Sequence, residues 1–292
     1  MHYKQYKSIL SPKGGMNIYR GCTHGCIYCD SRSKCYQMDH DFEDIEIKTD
    51  APKMLKAELL RKRKKCVIKT GAMTDPYIHL EEDLKYTRQC LEIIAETRFG
   101  LAIQTKSNRI LRDLDLLKSI NEQATCTVEM TLTTYDENLC KILEPNVCTT
   151  KERFEVLKTM RDSGIPTVVW LCPILPFLND TEENLRGILS YLIEAEVKGV
   201  ISFGMGVTLR DGSREYFYRK LDQFFPGLKQ KYHQKYGYSY IINSDNNKQL
   251  TQLFYSECKK HGIISNPNKV FEFMHEYREK KRAKQLSLFS IS

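Results

Sequence analysis

The chain has no apolar run approaching the ~18 residues that a membrane-spanning helix requires, which excludes a transmembrane reading of the sequence. Its first ten residues, Met1 to Leu10, are polar and lack the apolar core of a secretory signal, so the expected location is the cytoplasm. Fifteen Gly and nine Pro in 292 residues are too few for a collagen-like or low-complexity chain. There is no Gly/Ser linker and no repeat beyond an alternation of strand and helix. What is present is an ordinary globular balance, 41% hydrophobic and 28% charged, in a chain long enough to bury a sizeable core. Charge is uneven around a net +8: residues 53–69 hold eight Lys or Arg against one Glu, and 269–284 hold six against three. Such runs read first as solvated helix faces, and they permit a phosphate-rich partner without requiring one.

Eleven cysteines, an odd number in a long chain without a leader, argue against a disulfide framework. Most read as small buried hydrophobes. Three do not: Cys22-Thr-His-Gly-Cys26-Ile-Tyr28-Cys29 sets three thiols in eight residues, as C-x3-C-x2-C. A short loop of this kind can direct three thiolates at one metal centre. A structural zinc site wants a fourth ligand, usually from a second C-x2-C pair, and the sequence has none. A four-iron cluster held by three thiolates keeps one iron open for a substrate or cofactor. His24 reads as a solvated loop histidine, and Cys35 as a packing residue rather than a ligand. Tyr28 reads as a core aromatic or as a border to a bound nucleoside.

From Ala51 onward helical and extended patterns alternate. Helices are expected over 51–64, 81–97, 110–120, 151–163 (closed by Gly164) and from a cap at Asp180 or Thr181 to about 196. Strands are expected over 66–70, 101–105, 126–133, 167–172 and 200–203, with a first strand near Asn17–Tyr19. Units of roughly 30–35 residues imply a parallel sheet flanked by helices. Six units are too few for a closed eight-stranded barrel, so the expected fold is α/β, a partial (βα)6 TIM-type barrel or an open doubly wound sheet, with its chemistry at the C-terminal strand ends. Residues 1–206 form that domain. Residues 207–283 read as a helical extension rich in basic and aromatic residues, with helices at 245–260 and 267–283 and a strand signal only at Tyr238–Ile242. Residues 284–292 read as a flexible tail.

The triplet, early in the chain after a first strand, resembles the radical S-adenosylmethionine superfamily. With Gly71-Ala-Met-Thr-Asp75-Pro-Tyr77, Gln104-Thr-Lys106-Ser, Leu143-Glu-Pro145 and Cys172-Pro-Ile-Leu-Pro176 followed by Asn179-Asp180, it is similar to the spore photoproduct lyase-like branch, relatives of an enzyme that repairs thymine photodimers in DNA. The resemblance covers about residues 15–206. It implies that Cys22, Cys26 and Cys29 hold a [4Fe–4S] cluster and that S-adenosylmethionine chelates the open iron. It implies one-electron cleavage of the sulfonium to a 5′-deoxyadenosyl radical, and an electron donor such as a flavodoxin or ferredoxin. By position Lys106 suits the methionine carboxylate, although a solvated strand-end lysine is the alternative. Thr74 and Asp75 match the loop that reaches the cofactor, Asp75 being otherwise a turn-former before Pro76. Thr131 or Thr133 suits the ribose, or serves only the strand.

The likeness stops at two places. The lyase's hydrogen-donating cysteine position holds Met73, which has no transferable S–H hydrogen, and the lyase's tyrosine after the third cluster cysteine is replaced by Asp30. Thymine-dimer repair is therefore not the expected reaction. Gln285-Leu-Ser-Leu-Phe289 resembles the peptide by which bacterial repair and replication proteins grip the sliding clamp, through Leu288 and Phe289. Tyr216, Phe217, Tyr218, Phe224 and Phe225 lie among Arg214, Arg219 and Lys220, as base-stacking residues would. The leading expectation is a radical enzyme acting on nucleic acid, DNA favoured. The alternatives are a radical enzyme acting on tRNA, a peptide or a small metabolite, and a non-catalytic iron–sulfur clamp adaptor.

Overall fold

The computed structural model describes residues 1–280. Its centre is a six-stranded, wholly parallel sheet whose strands follow one another in chain order: Gly15–Met16, Val67–Thr70, Gly100–Thr105, Cys126–Thr131, Thr167–Trp170 and Gly199–Ile201. That order, with helices between, is a partial TIM-type barrel. The first strand is Gly15–Met16, earlier than the sequence pattern suggests; Tyr19–Arg20 pairs instead with Glu46–Lys48 in a small sheet that also holds His2–Lys4.

The period-2 rule of strands divides the residues between two faces. Ile68, Leu101, Ile103, Val128, Met130, Val169 and Val200 face outward and meet helix residues such as Leu55, Leu91, Ile94, Leu117, Leu157, Ile188 and Leu192 in one buried core. Register places Gln104 opposite Glu129, Thr131 opposite Trp170, and Trp170 opposite Ile201, on the inner face. Helix Pro267–His275 closes the inner face from below, where Val270 and Met274 pack on Val168 and Ile201.

The flanking helices are Ala51–Arg61, Glu81–Leu84, Tyr86–Glu96, Leu114–Gln123, Glu137–Leu143, Thr150–Asp162 and Glu182–Glu194. The segment read as one helix over 81–97 breaks at Lys85, which has φ +51°. Thr149 and Glu152 form a reciprocal capping box that starts Thr150–Asp162, and Gly164 follows that helix at φ +69°. Thr181, not Asp180, caps Glu182–Glu194 by accepting from Asn184 N–H. Glu137–Leu143 has no counterpart in the sequence reading.

The extension is not all helix. Gly206–Thr208 pairs antiparallel with Ile241–Asn243, and helices Ser213–Phe224 and Leu228–Tyr236 lie between them in the chain. Helix Asn247–Lys260 follows. The helix expected over 267–283 stops at His275. Beyond it Thr125 N–H donates to the Arg278 carbonyl and Lys280 N–H to the Gln123 carbonyl, so pairing at the foot of the fourth strand replaces the helical bonds. The stacking array expected at 216–225 is largely core: Phe217, Tyr218 and Leu221 are buried with Tyr232, and Tyr216 lies under the Arg32 guanidinium. The tail at 284–292, with its Gln285–Phe289 motif, lies outside the described residues.

Candidate functional site

The triplet loop rises from the small N-terminal sheet and is held from the opposite side by residues 143–146. Ile27 N–H donates to the Leu143 carbonyl, Asn146 N–H to the His24 carbonyl, and the Asn146 side-chain amide to the Thr23 carbonyl. Gly25, at φ +73°, lies so close to Pro145 and Asn146 that a Cβ there would stand 3.2 Å and 3.0 Å from their side chains. Beneath the loop, the Tyr28 hydroxyl donates to Glu144 Oε1. Glu144 Oε2 is 2.6 Å from Arg153 Nη2, and both side chains are completely buried. The same guanidinium donates to the carbonyls of Lys106, Thr131 and Cys148. One arginine thus joins the ends of the third and fourth strands to the loop that carries the thiols. Burial would raise the Glu144 pKa, but Arg153, with Lys106 nearby, overrides it and holds the carboxyl below its ordinary range.

Above this brace is a cavity of 390 Å3 lined by Cys26, Tyr28, Cys29, Gln104, Lys106, Trp170 and Cys172 at the strand ends, and by Phe203, Val207 and Ile241 at its rim. Lys106 Nζ lies 5.9 Å from the Tyr28 ring centroid. Burial pushes the Cys22 thiol up to about 12 and the Cys26 thiol well above its usual value, while Lys106 opposes the rise at Cys26. Such thiols stay protonated unless a metal takes the place of the proton. All eleven cysteines are free. The donor set and the cation beside it therefore fit a thiolate-bound iron–sulfur cluster with a carboxylate-bearing cofactor.

The other residues singled out by sequence divide. Asp75 faces the loop's foundation: it accepts from Thr105 Oγ1 at 2.7 Å, Lys106 N–H at 2.8 Å and Tyr77 N–H at 2.9 Å. His24, expected in solvent, is buried with Nδ1 3.4 Å from Asp75 Oδ2. Burial first, then the cations nearby, holds its pKa down despite Asp75. Thr74 and Met73 line a different cavity of 260 Å3, with Asn17, Arg20, Tyr36 and Lys48. Thr131 is buried with an unpartnered hydroxyl, and Thr133 is paired with Thr134. Cys35, expected to pack, is exposed and 3.6 Å from Arg210 Nη1.

Sequence reasoning did not find Glu144 and Arg153 as a pair, nor Trp170 and Phe203 as cavity walls. The Leu143-Glu-Pro145 segment was the available signal for the first. The conspicuous apolar residue of the second is Phe203, which stays 67% exposed beside the opening. Trp170 donates its indole N–H to Glu129 Oε2 at 2.6 Å, and burial pushes that carboxyl up to about 7.

Parallel strands ending on a thiol-lined chamber define a partial-barrel protein built to hold a metal–sulfur centre at the strand ends. The sequence model of the radical SAM superfamily matches residues 16–218, and the chain belongs to that superfamily. Its cofactors are accordingly a [4Fe–4S] cluster and S-adenosylmethionine. The chain is 30% identical over 227 residues to the uncharacterized protein Rv2578c of Mycobacterium tuberculosis, covering 76% of this chain and 66% of the relative. It is 33% identical over 176 residues to the uncharacterized protein MJ0683 of Methanocaldococcus jannaschii, covering 60% and 65%. The match thus spans just under two thirds of each relative's length. Among solved structures, spore photoproduct lyase complexed with dinucleoside spore photoproduct superposes with a TM-score of 0.64 at 13% identity, over 90% of this chain and 80% of the other. The methyltransferase TsrM from Kitasatospora setae, with cobalamin and a [4Fe–4S] cluster bound, superposes with a TM-score of 0.52 at 14% identity, over 73% and 38%.

Proposed function

We propose that the protein is a radical S-adenosylmethionine enzyme that abstracts hydrogen from a nucleic-acid substrate, DNA favoured, with Cys22, Cys26 and Cys29 as the cluster ligands. The observation that carries this reading is the cavity in which buried thiols and Lys106 lie below aromatic walls. When bound, the reduced cluster supplies one electron that splits S-adenosylmethionine into methionine and a 5′-deoxyadenosyl radical. Lys106 receives the methionine carboxylate, and Tyr28, fixed by Glu144, borders the nucleoside end. Trp170 and Phe203, ring centroids 6.3 Å apart, offer flat faces to a base at the entrance.

Support for nucleic acid also comes from the net charge of +8 and from the lyase neighbour's bound dinucleoside. Met73 is not the hydrogen donor in this reading, since it lines the other cavity. An electron donor of the flavodoxin or ferredoxin type and a sliding-clamp contact through Gln285–Phe289 complete the proposal, the latter from sequence alone. Anaerobic reconstitution with dithionite and S-adenosylmethionine tests catalysis, with 5′-deoxyadenosine as the expected product; a non-catalytic adaptor makes none. Salt-dependent binding of single-stranded DNA, tRNA and a neutral peptide then separates the substrate classes, with tightest binding and the steepest salt slope expected for DNA.

A further inference from the structure

Away from the cysteine chamber, the small N-terminal sheet and the loop after the triplet bring together His2, Lys4, Asp39, His40, Asp44 and Glu46. Glu46, on the central strand of this sheet, is completely buried. Its Oε1 accepts from the Tyr6 hydroxyl. Its Oε2 lies 3.9 Å from His2 Nε2 and 3.7 Å from His40 Nε2; both Oε2 and His40 Nε2 are buried, and the one donor against Oε2 is the Lys4 ammonium at 3.0 Å.

The tautomers sharpen this arrangement. His40 Nδ1 is 2.9 Å from the Asp41 carbonyl. A carbonyl only accepts, so Nδ1 carries the hydrogen and Nε2 of the neutral ring presents a lone pair. His2 Nδ1 is 2.9 Å from Asp44 Oδ2. The lone pair of a neutral His40 therefore points at Glu46 Oε2 with no hydrogen between them, and His2 Nε2 stands 3.9 Å from the same oxygen. That costs free energy unless a cation sits among them. Lys4 Nζ, 3.0 Å from Oε2 and 3.4 Å from Asp39 Oδ2, supplies a cation at one side. Its side chain is 42% exposed.

The geometry points to a structural site for a divalent metal ion of the zinc type, ligated by His40 Nε2, Glu46 Oε2 and the Asp39 carboxylate, with His2 Nε2 turning in as fourth ligand. Ligand atoms of Asp39, His40 and Glu46 already lie within 4.8 Å of one another. Zinc bonds of about 2.0–2.2 Å in a tetrahedron put ligand atoms roughly 3.4 Å apart, so the 3.7 Å and 3.9 Å from Glu46 Oε2 to the two ring nitrogens would close by a few tenths of an ångström. Imidazole and carboxylate donors suit zinc, cobalt or nickel better than magnesium or cuprous ion. Asp44 and the Asp41 carbonyl hold the two rings by their other nitrogens, as outer partners of metal-bound histidines do. The ion would clasp the N-terminal strand to the loop through residues 39–44. That loop in turn holds the triplet, because Cys22 N–H donates to the Phe42 carbonyl.

The test uses the full chain with its iron–sulfur cluster reconstituted, so that the cluster thiols are already engaged. After chelator treatment and addition of zinc chloride, wild type is expected to keep one zinc per chain through gel filtration and to melt at a higher temperature. His2→Ala and His40→Ala should each weaken zinc binding by about tenfold or more with unchanged iron content. Both alter partly exposed side chains, so they avoid the folding burden of Glu46→Gln. Cobalt in place of zinc should show ligand-field absorption without a thiolate charge-transfer band. Failure of wild type to retain zinc, leaving Lys4 or a proton as the cation, overturns the site. So does equal retention by both variants, or a thiolate band from bound cobalt. None of these readouts depends on substrate turnover, so the proposed activity stands or falls separately.

Discussion

Replacing Arg153 by Met tests whether the brace under the thiol loop holds the site together. The substitution keeps much of the volume and removes the charge. It leaves the Glu144 carboxylate buried without its partner and takes the guanidinium from the carbonyls of Lys106, Thr131 and Cys148. Breaking a completely buried pair from one side costs about 3–5 kcal/mol, and each stranded carbonyl adds on the order of 1 kcal/mol, not additively. With about 2 °C lost per kcal/mol in a chain of this size, the melting temperature should fall by roughly 6–12 °C. Thermal unfolding followed by the fluorescence of the single tryptophan, Trp170, measures it. Arg153→Met/Glu144→Gln should recover part of the loss, since no charge is left unpaired. The pair also predicts a pH dependence. Glu144 has a depressed folded pKa, so its contribution is present above the ordinary carboxylate pKa and is lost as pH falls through the folded value. A single Arg153→Met costing under about 1 kcal/mol, or a double variant no better than the single, would refute the reasoning.

Glu129 predicts the opposite slope. Its folded pKa is raised to about 7, so stability is lost as pH climbs from the ordinary carboxylate value toward 7, and Glu129→Gln should gain up to ~3 kcal/mol above that pH in urea titrations. Gly71→Ala should unfold or fail to express, because φ is +102° and a Cβ would stand 1.9 Å from the Gln104 carbonyl oxygen; a soluble variant with wild-type melting would contradict the packing. Phe203→Ala should leave the cluster's absorption intact while weakening single-stranded DNA binding by ~1–3 kcal/mol in anisotropy titrations, and unchanged binding would remove it from the entrance. Full-chain Leu288→Ala/Phe289→Ala should lose surface-plasmon binding to a bacterial sliding clamp, and equal binding by wild type and variant would end that part of the proposal.

The parallel sheet was readable because its outward strand faces carry Val, Ile, Leu and Met, and its order follows the chain. The thiol triplet was readable because its spacing is local. Tyr28 and Glu144 are 116 residues apart, and no local pattern joins them, although the Leu143-Glu-Pro145 segment was conspicuous. The strands Gly206–Thr208 and Ile241–Asn243 have three residues each, too few for a period to register. Helix 267–275 looked longer because the charged residues that follow suit a helix; pairing with Gln123 and Thr125 decides otherwise. His24 looked like a surface residue because a glycine-flanked loop is usually wet, and only the fold brings Asp75 beside it.

The inner face of the sheet is closed below by Val270 and Met274, while Phe203 and Ile241 remain exposed at the chamber's rim above Cys26. A ligand resting on that rim lies across the way to the thiols. On the proposed function, traffic would be sequential: the small cofactor would enter before the large substrate, and its spent fragments would wait behind the product. Turnover would follow a compulsory order, with excess substrate slowing the exchange of the smaller partner. Steady-state inhibition patterns would register that queue even before the identity of the reacting carbon is known.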